Sequence, residues 1–195
     1  IKFNHDIHLN PRVLDEMPEM ESTRLGFGKG LVLAGKENEN VVGLCCDLKE
    51  STQMLSFAEE FPNRFVEIGI AEQNMAGIAA GMALAGKVPF MVSYAAFSPG
   101  RNFDQIRVSI AYQDANVKII GAHAGVSVGP DGATHQMLED IAMMRALPNM
   151  VVIVPVDYEQ AILATQAAAR YSGPVYIRLG REKVPQVTTR RTPFA

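Results

Sequence analysis

Cysteine is nearly missing from this 195-residue chain: two occur, side by side, at Cys45 and Cys46. Adjacent cysteines make neither a C-x-x-C redox pair nor a disulfide framework, and two thiols cannot build a zinc site unaided. They lie in the apolar run Val41-Val42-Gly43-Leu44-Cys45-Cys46, which implies reduced, at least partly buried thiols and favours a cytoplasmic compartment. Nowhere is there a run of about 20 apolar residues, so no transmembrane helix is expected. Basic excess is lacking too. Lys plus Arg number 18 against 21 for Asp plus Glu, a formal net charge of −3. That balance gives no global pull toward nucleic acid or an anionic membrane, although local arginines can still serve a phosphorylated small molecule. A G-x-S-x-G nucleophile elbow, an internal repeat of about 20–50 residues and a basic-then-apolar leader are likewise missing. The chain starts at Ile1, which fits numbering that begins inside a longer product.

What is present is the composition of a folded protein. Hydrophobic residues make up 48% and charged residues 20%, which excludes a disordered chain. The length suffices for one domain that buries roughly 65–70% of its unfolded surface.

Residues 1–20, with Pro11 and Pro18, read as a polar arm. A helix is expected from a Ser22/Thr23 cap to about Lys36. Strands are expected at Val41–Cys46, Arg64–Ile68, Lys87–Ser93, Val117–Ala122, Met150–Val154 and Pro174–Arg178. Helices are expected at 71–86, Arg101–Gln113, Gln136–Ala146 and Tyr158–Tyr171. In the first of these Met75, Ile78, Ala79 and Met82 fall at i, i+3, i+4 and i+7. The last dozen residues, with Pro185, Pro193 and Arg190-Arg191, read as a linker. Strands alternate with helices, and most strands are continuous apolar runs without a polar face. This predicts an α/β fold with a mainly parallel sheet sandwiched by helices.

In such sheets ligands sit beyond the carboxyl ends of the strands, so the residues that follow each strand carry the information. They are Asp47 and Ser51-Thr52; Ile70-Ala71-Glu72-Gln73-Asn74; Tyr94, Phe97 and Pro99-Gly100-Arg101; His123 and Gly129–His135; and Arg181. Each has a plain structural reading. Glu72 suits the dipole of a helix start, Asp47 a turn cap, Tyr94 and Phe97 a core, and Asp131-Gly132 an ordinary turn. These readings weaken together, because the fold places all of the residues on one rim. Two other patterns fail. Gly26-Phe27-Gly28-Lys29-Gly30 has the wrong glycine spacing for a dinucleotide loop and lies within an expected helix. The H-x7-D-x3-H spacing of His123, Asp131 and His135 matches no common metal site.

Three stretches carry a resemblance: Val66-Glu67-Ile68-Gly69-Ile70-Ala71-Glu72-Gln73-Asn74, Phe103-Asp104-Gln105-Ile106-Arg107 and Gly129-Pro130-Asp131-Gly132-Ala133-Thr134-His135-Gln136. Together they resemble the pyrimidine-binding domain of transketolase, from about Ser22 to Arg181. The first and third are partly shared with deoxyxylulose-phosphate synthase; the middle one, with His123 and Arg24, favours transketolase. The resemblance implies the thiamine diphosphate-binding fold, with an N-terminal arm over 1–20, a pyrimidine-binding domain over 21–182 and a linker over 183–195 toward an absent C-terminal domain. It also implies thiamine diphosphate and Mg2+, with transfer of a two-carbon ketol unit between sugar phosphates in carbohydrate metabolism such as the pentose phosphate pathway.

By the same resemblance, Glu72 hydrogen-bonds a ring nitrogen of the aminopyrimidine, Tyr94 and Phe97 hold the ring, and Asp47 is an acid near the cofactor. Arg24, Ser51, His123 and Arg181 grip the sugar phosphate. Asp131 and His135 bind sugar hydroxyls, and His135 can shuttle a proton. No metal ligand is assigned to this chain. Two departures stand out. Ser98-Pro99-Gly100-Arg101 replaces the family's third aromatic. The Gly-Asp-Gly motif and the Asn that bind Mg2+ and diphosphate are absent, so a diphosphate-binding subunit or domain is the expected partner, in a dimer or another homo- or hetero-oligomer. The chain resembles part of a split transketolase or a fragment of one. A deoxyxylulose-phosphate synthase part and a non-catalytic regulatory subunit of the same fold are the rival readings. The face toward the partner is expected to expose Met75, Ile78 or nearby apolar side chains.

Overall fold

The computed structural model describes residues 7–194. Six strands form one sheet: β2 (Val41–Cys45), β3 (Phe65–Glu67), β4 (Val88–Tyr94), β5 (Lys118–Ala122), β6 (Val151–Ile153) and β7 (Val175–Arg178). Their order is β3-β2-β4-β5-β7-β6, and every pairing is parallel. The expected mainly parallel α/β sheet is therefore what forms. A separate antiparallel pair joins β1 (Met20–Ser22) to β8 (Lys183–Pro185).

Because side chains alternate across a strand, each strand feeds two cores. Val41, Phe90, Val92, Ile120 and Ile177 pack against Phe27 and Leu31 of α1 (Thr23–Glu37), Phe57 of α2 (Leu55–Glu60) and Ala161 of α6 (Tyr158–Arg170). Val42, Leu44, Met91, Ile119 and Tyr176 pack against Met75, Ala76 and Ala79 of α3 (Glu72–Leu84) and Met144 of α5 (Asp140–Arg145). Burial on both faces is why the central strands carry apolar residues at most positions. Cys45 and Cys46 are free and buried, and burial pushes their thiols up to about 11 and about 12. Among the described residues no helix is long and apolar enough to cross a membrane.

Several elements differ from expectation. Ser22 stands at the N-cap of α1 but makes no side-chain cap hydrogen bond. The helix expected over Arg101–Gln113 is one α-turn, α4 (Phe103–Gln105), followed by a π-helix over Ile106–Ala111; a local change of winding leaves no mark in apolar spacing. The helix expected from Gln136 starts only at Asp140, because Met137 is engaged in a bridge with Gly125. Met75 is fully buried and only Ile78 is partly so. The exposed apolar side chains nearby are instead Ile70 and Leu84.

The expected arm and linker meet. Of the arm, residues 1–6 lie outside the described residues, as does Ala195 of the linker. Asn10 donates through its backbone and its amide to the carbonyls of Val187 and Gln186. Buried Asp157, the N-cap of α6, accepts from the backbone N–H groups of Gln160, Val187 and Thr188 and from the Thr188 hydroxyl. The stretch expected to be a linker is thus held to the domain body by hydrogen bonds.

Helices α1 and α6 approach closely through Gly26 and Gly30. A β-carbon on Gly26 would overlap the Tyr158 carbonyl and lie 2.9 Å from Ala161 Cβ. Gly26 and Gly30, which superficially resembled part of a dinucleotide loop, are helix-packing residues, and Gly28 meets the backbone of Gln53 in a turn. Gly26→Ala should therefore cost stability, about 1–3 kcal/mol of overpacking, despite the roughly 1 kcal/mol that alanine gains in a helix. Gly77→Ala, with nothing within 4 Å of the new carbon, should be neutral or stabilising. Urea unfolding with an unchanged m value checks both, and a Gly26→Ala midpoint at or above wild type would contradict the packing argument.

Candidate active site

Parallel strands put all their carboxyl ends on one edge, and the residues expected to converge lie there. Glu72 is the first residue of α3, and its side chain is 1% exposed. Its Oε2 accepts from Arg101 Nη1 at 2.7 Å, and its Oε1 from Ser93 Oγ at 3.4 Å. Asn102 Nδ2 donates to the Glu72 backbone carbonyl at 3.0 Å and to Ser98 Oγ at 3.2 Å. The carboxylate therefore sits at a helix N-terminus, where the dipole favours it, with one strong cationic partner.

An aromatic chain runs on from there. The Arg101 guanidinium lies 4.5 Å from the centroid of the Phe97 ring. Phe97 stacks on Tyr94 at 6.0 Å, and Tyr94 on His123 at 3.9 Å. His135 stands edge-on to Phe97 and Tyr94, at 5.3 and 6.2 Å, with Nδ1 2.9 Å from Thr134 Oγ1. Tyr94 is largely buried, so Phe97 offers the more open ring.

His123 follows β5 with a φ of 56°, and Asp47 follows the β2 strand end with a φ of 57°. Left-handed backbone at two strand ends is a local cost that clusters at functional edges. Burial pushes the His123 imidazole down to about 4; Arg24 and Arg181 push the same way, and Asp131 opposes them. Arg24 donates to the Ser51 backbone carbonyl at 2.7 Å. The Arg181 guanidinium occupies the place a β-carbon on Gly129 would need, which seats it against the 129–132 loop. A cavity of about 400 Å3 opens between Arg24, Gln53 and Arg181, with Glu21, Glu182 and Lys183 also lining it. Arg24 Nε and His123 Nδ1 are buried without a hydrogen-bond partner among the described residues, as groups awaiting a ligand would be. Another cavity, of about 530 Å3, lies between arm and tail, lined by Asn10, Glu19 and Tyr158. It holds none of the converging residues.

The structure thus gathers Phe97, Tyr94, His123 and His135 by contact, joins Glu72 to Phe97 through Arg101, and brings Arg24, Arg181 and Asp131 by charge around His123. Ser51 joins through Arg24. Asp47 is exposed, and its described link is a backbone N–H donated to Glu67 Oε1 at 2.7 Å. The sequence placed Arg101 on the rim without a role, and it gave no place there to Ser93 or Asn102. The signal available was position: Ser93 and Arg101 bracket the end of β4, where a charge next to a Pro-Gly turn faces the rim. Among the described residues no group of three or more His, Cys, Asp or Glu could hold a metal ion.

The sequence profile described as "Transketolase, pyrimidine binding domain" matches residues 19–186. A protein of Methanocaldococcus jannaschii described as a transketolase C-terminal section is 52% identical over 158 residues, 81% of this chain and 50% of that one. One of the subunits of an apulose-4-phosphate transketolase from Phocaeicola vulgatus is 39% identical over 168 residues, 86% of this chain and 54% of that one. A solved structure described as "Split gene transketolase, inactive beta4 tetramer" superposes with a TM-score of 0.80 at 48% identity, covering 89% of this chain and 55% of that one. The chain spans about half the length of the curated relatives it matches. It belongs to the transketolase pyrimidine-binding-domain family.

His123 is expected to remain neutral through the physiological range. Its ring signals in an NMR titration should move with a midpoint near pH 4 rather than 6.5. The unfolded chain takes up this proton more readily than the folded one, so the associated stability is complete above about pH 6.5 and is lost as pH falls toward about 4. Wild type should lose stability more steeply across that window than His123→Gln. Parallel curves, or a midpoint near 6.5, would show an ordinary solvated imidazole.

Proposed function

Starting from membership of that family, we propose that this chain is one component of a thiamine diphosphate-dependent transketolase, moving a two-carbon ketol unit from a ketose phosphate to an aldose phosphate. The observation that carries the reading is the buried Glu72 carboxyl group, linked through Arg101 to the half-buried Phe97 ring, at the carboxyl edge of the sheet. When bound, thiamine diphosphate would supply the acidic ring carbon that serves as nucleophile in ketol transfer. The residues present fit its pyrimidine end. Glu72 would hydrogen-bond a ring nitrogen, which favours the imino tautomer and makes the exocyclic nitrogen the base. Phe97 and Tyr94 form the aromatic wall, and Asp47 is the acid at the neighbouring strand end.

The substrate side follows from charge. Arg24 and Arg181 suit a phosphate through bidentate donation, with Ser51 beside Arg24. His123, neutral, contributes by hydrogen bonding rather than by charge. Asp131 and His135 take the sugar hydroxyls, and His135 can pass a proton to and from the carbonyl oxygen as its charge develops. The diphosphate and Mg2+ fall to a partner subunit or domain, since Mg2+ needs hard oxygen ligands and the substrate or cofactor phosphates. The relatives that are themselves sections or subunits of transketolases support such a division. The set of Glu72, His123 and His135 favours a catalytic chain over a regulatory one, and Arg24 favours a sugar-phosphate donor over pyruvate.

Three outcomes are expected. The chain alone should show no transketolase activity, and adding the diphosphate-binding half should restore it, saturating at equal stoichiometry. In that mixture Glu72→Ala should lower turnover by about 10²–10⁴, followed as proton exchange at the cofactor ring carbon by NMR; wild-type exchange would remove Glu72 from the role. Arg181→Ala should weaken phosphorylated substrates by about 1.5–3 kcal/mol and hydroxypyruvate much less. Equal losses for both would make Arg181 structural.

A further inference from the structure

The Arg101 side chain does two things that the proposed ligand would also do. It donates an N–H to Glu72 Oε2 at 2.7 Å, and its planar cation lies 4.5 Å from the centre of the Phe97 ring. A guanidinium and an aminopyrimidine share the relevant chemistry. Both are flat, delocalised and edged with sp2 nitrogens that pair with a carboxyl group in plane, and both present a face to an aromatic ring. Resting on the reading of Glu72 and Phe97 as the pyrimidine site, we propose that Arg101 is a placeholder: in the cofactor-free chain it fills the place between Glu72 and Phe97 and must swing out before an aminopyrimidine can enter.

The reason for such a group is electrostatic. An ionised carboxyl on a side chain that is 1% exposed cannot stand unpartnered. Ser93 at 3.4 Å is a long, weak donor. Arg101 is thus the group that makes Glu72 tolerable when no cofactor is bound. Its own side chain is 47% exposed, so water can receive it when it leaves.

The backbone beneath it is fixed independently of where the side chain points. The Gly100 N–H donates to the Ala95 carbonyl at 3.0 Å, and the Arg101 N–H to the Phe97 carbonyl at 3.1 Å. A β-carbon on Gly100 would collide with the Ala96 carbonyl, so only glycine closes this turn. Asn102 ties the same turn to the Glu72 backbone and to Ser98. A rotatable side chain on a pinned turn has two places to be, and a ligand that needs one of them shifts the balance. The affinity of the free chain for the ring is lowered by the fraction of time Arg101 occupies it. Only a ring that replaces both the carboxyl hydrogen bond and the stacking displaces it without leaving Glu72 orphaned.

The test uses the whole chain and 4-amino-5-hydroxymethyl-2-methylpyrimidine as probe. Arg101→Gln and Arg101→Leu should each bind the probe at least about tenfold more tightly than wild type by calorimetry. In wild type, nuclear Overhauser contacts between the Arg101 side chain and the Phe97 ring should be present without probe and vanish at saturation. Should Arg101→Leu fold poorly, Arg101→Gln and the wild-type contacts decide. Equal affinity in all three proteins, or Arg101–Phe97 contacts that persist at saturation, overturn the placeholder. Absence of binding in all three overturns it as well. The cause is then read from Glu72→Ala in the two-part enzyme. Retained turnover there means the pyrimidine-site reading itself failed, whereas lost turnover means that the placeholder alone did.

Discussion

The parallel alignment of six strands is the constraint on which the rest of this structure depends. Parallel strands need long crossovers, the crossovers put helices on both faces, and both faces must then be apolar. That is why Val41 and Val42, or Ile119 and Ile120, can be consecutive buried residues that serve opposite cores. The same alignment sends every strand out at one edge. Residues separated by more than 100 positions, such as Glu72 and Arg181, reach a common rim without any local sequence relation.

At that rim polar groups are removed from water and have to find partners. Glu72 takes Arg101, and Asp140 takes Tyr176 Oη at 2.7 Å and Arg178 Nε at 2.8 Å. Away from the rim, Lys118, buried on β5, donates to the Asn116 side chain and to the Tyr171 and Gly173 carbonyls. Its pKa is pushed down to about 7 by burial, against the pull of Asp114. Lys118 and Asp140 brace the ends of the sheet. Glu72 differs because its partner is half in solvent and lies over a half-buried aromatic ring. A buried charge whose counter-charge can leave is a feature of a binding site rather than of a core.

The β1 and β8 segments form a second device. Strands β1 and β8 pair, and buried Asp157 collects the backbone of Val187 and Thr188. This seats the 179–183 segment, and with it Arg181, against the Gly129–Gly132 loop. An arm and a linker by composition thus help to shape the phosphate side of the proposed site.

Local sequence was enough to dictate the sheet, the alternation of helices and strands, and the set of residues that would stand on the rim. Apolar periodicity and strand-end position are local properties, and burial on both faces writes them at every step. Glu72, Phe97, His123 and Arg181 were legible in that way. Which of them touch was left to the tertiary fold. The π-helix after Gln105, the stacking of Tyr94 on His123, the pairing of β1 with β8 and the seating of Arg101 between Glu72 and Phe97 all depend on contacts between distant segments. Arg101 shows the difference most plainly. As a residue it is one more exposed cation after a Pro-Gly turn. It becomes the counter-ion of a buried carboxylate because the fold brings the start of α3 to the end of β4, and low dielectric then makes that pairing obligatory.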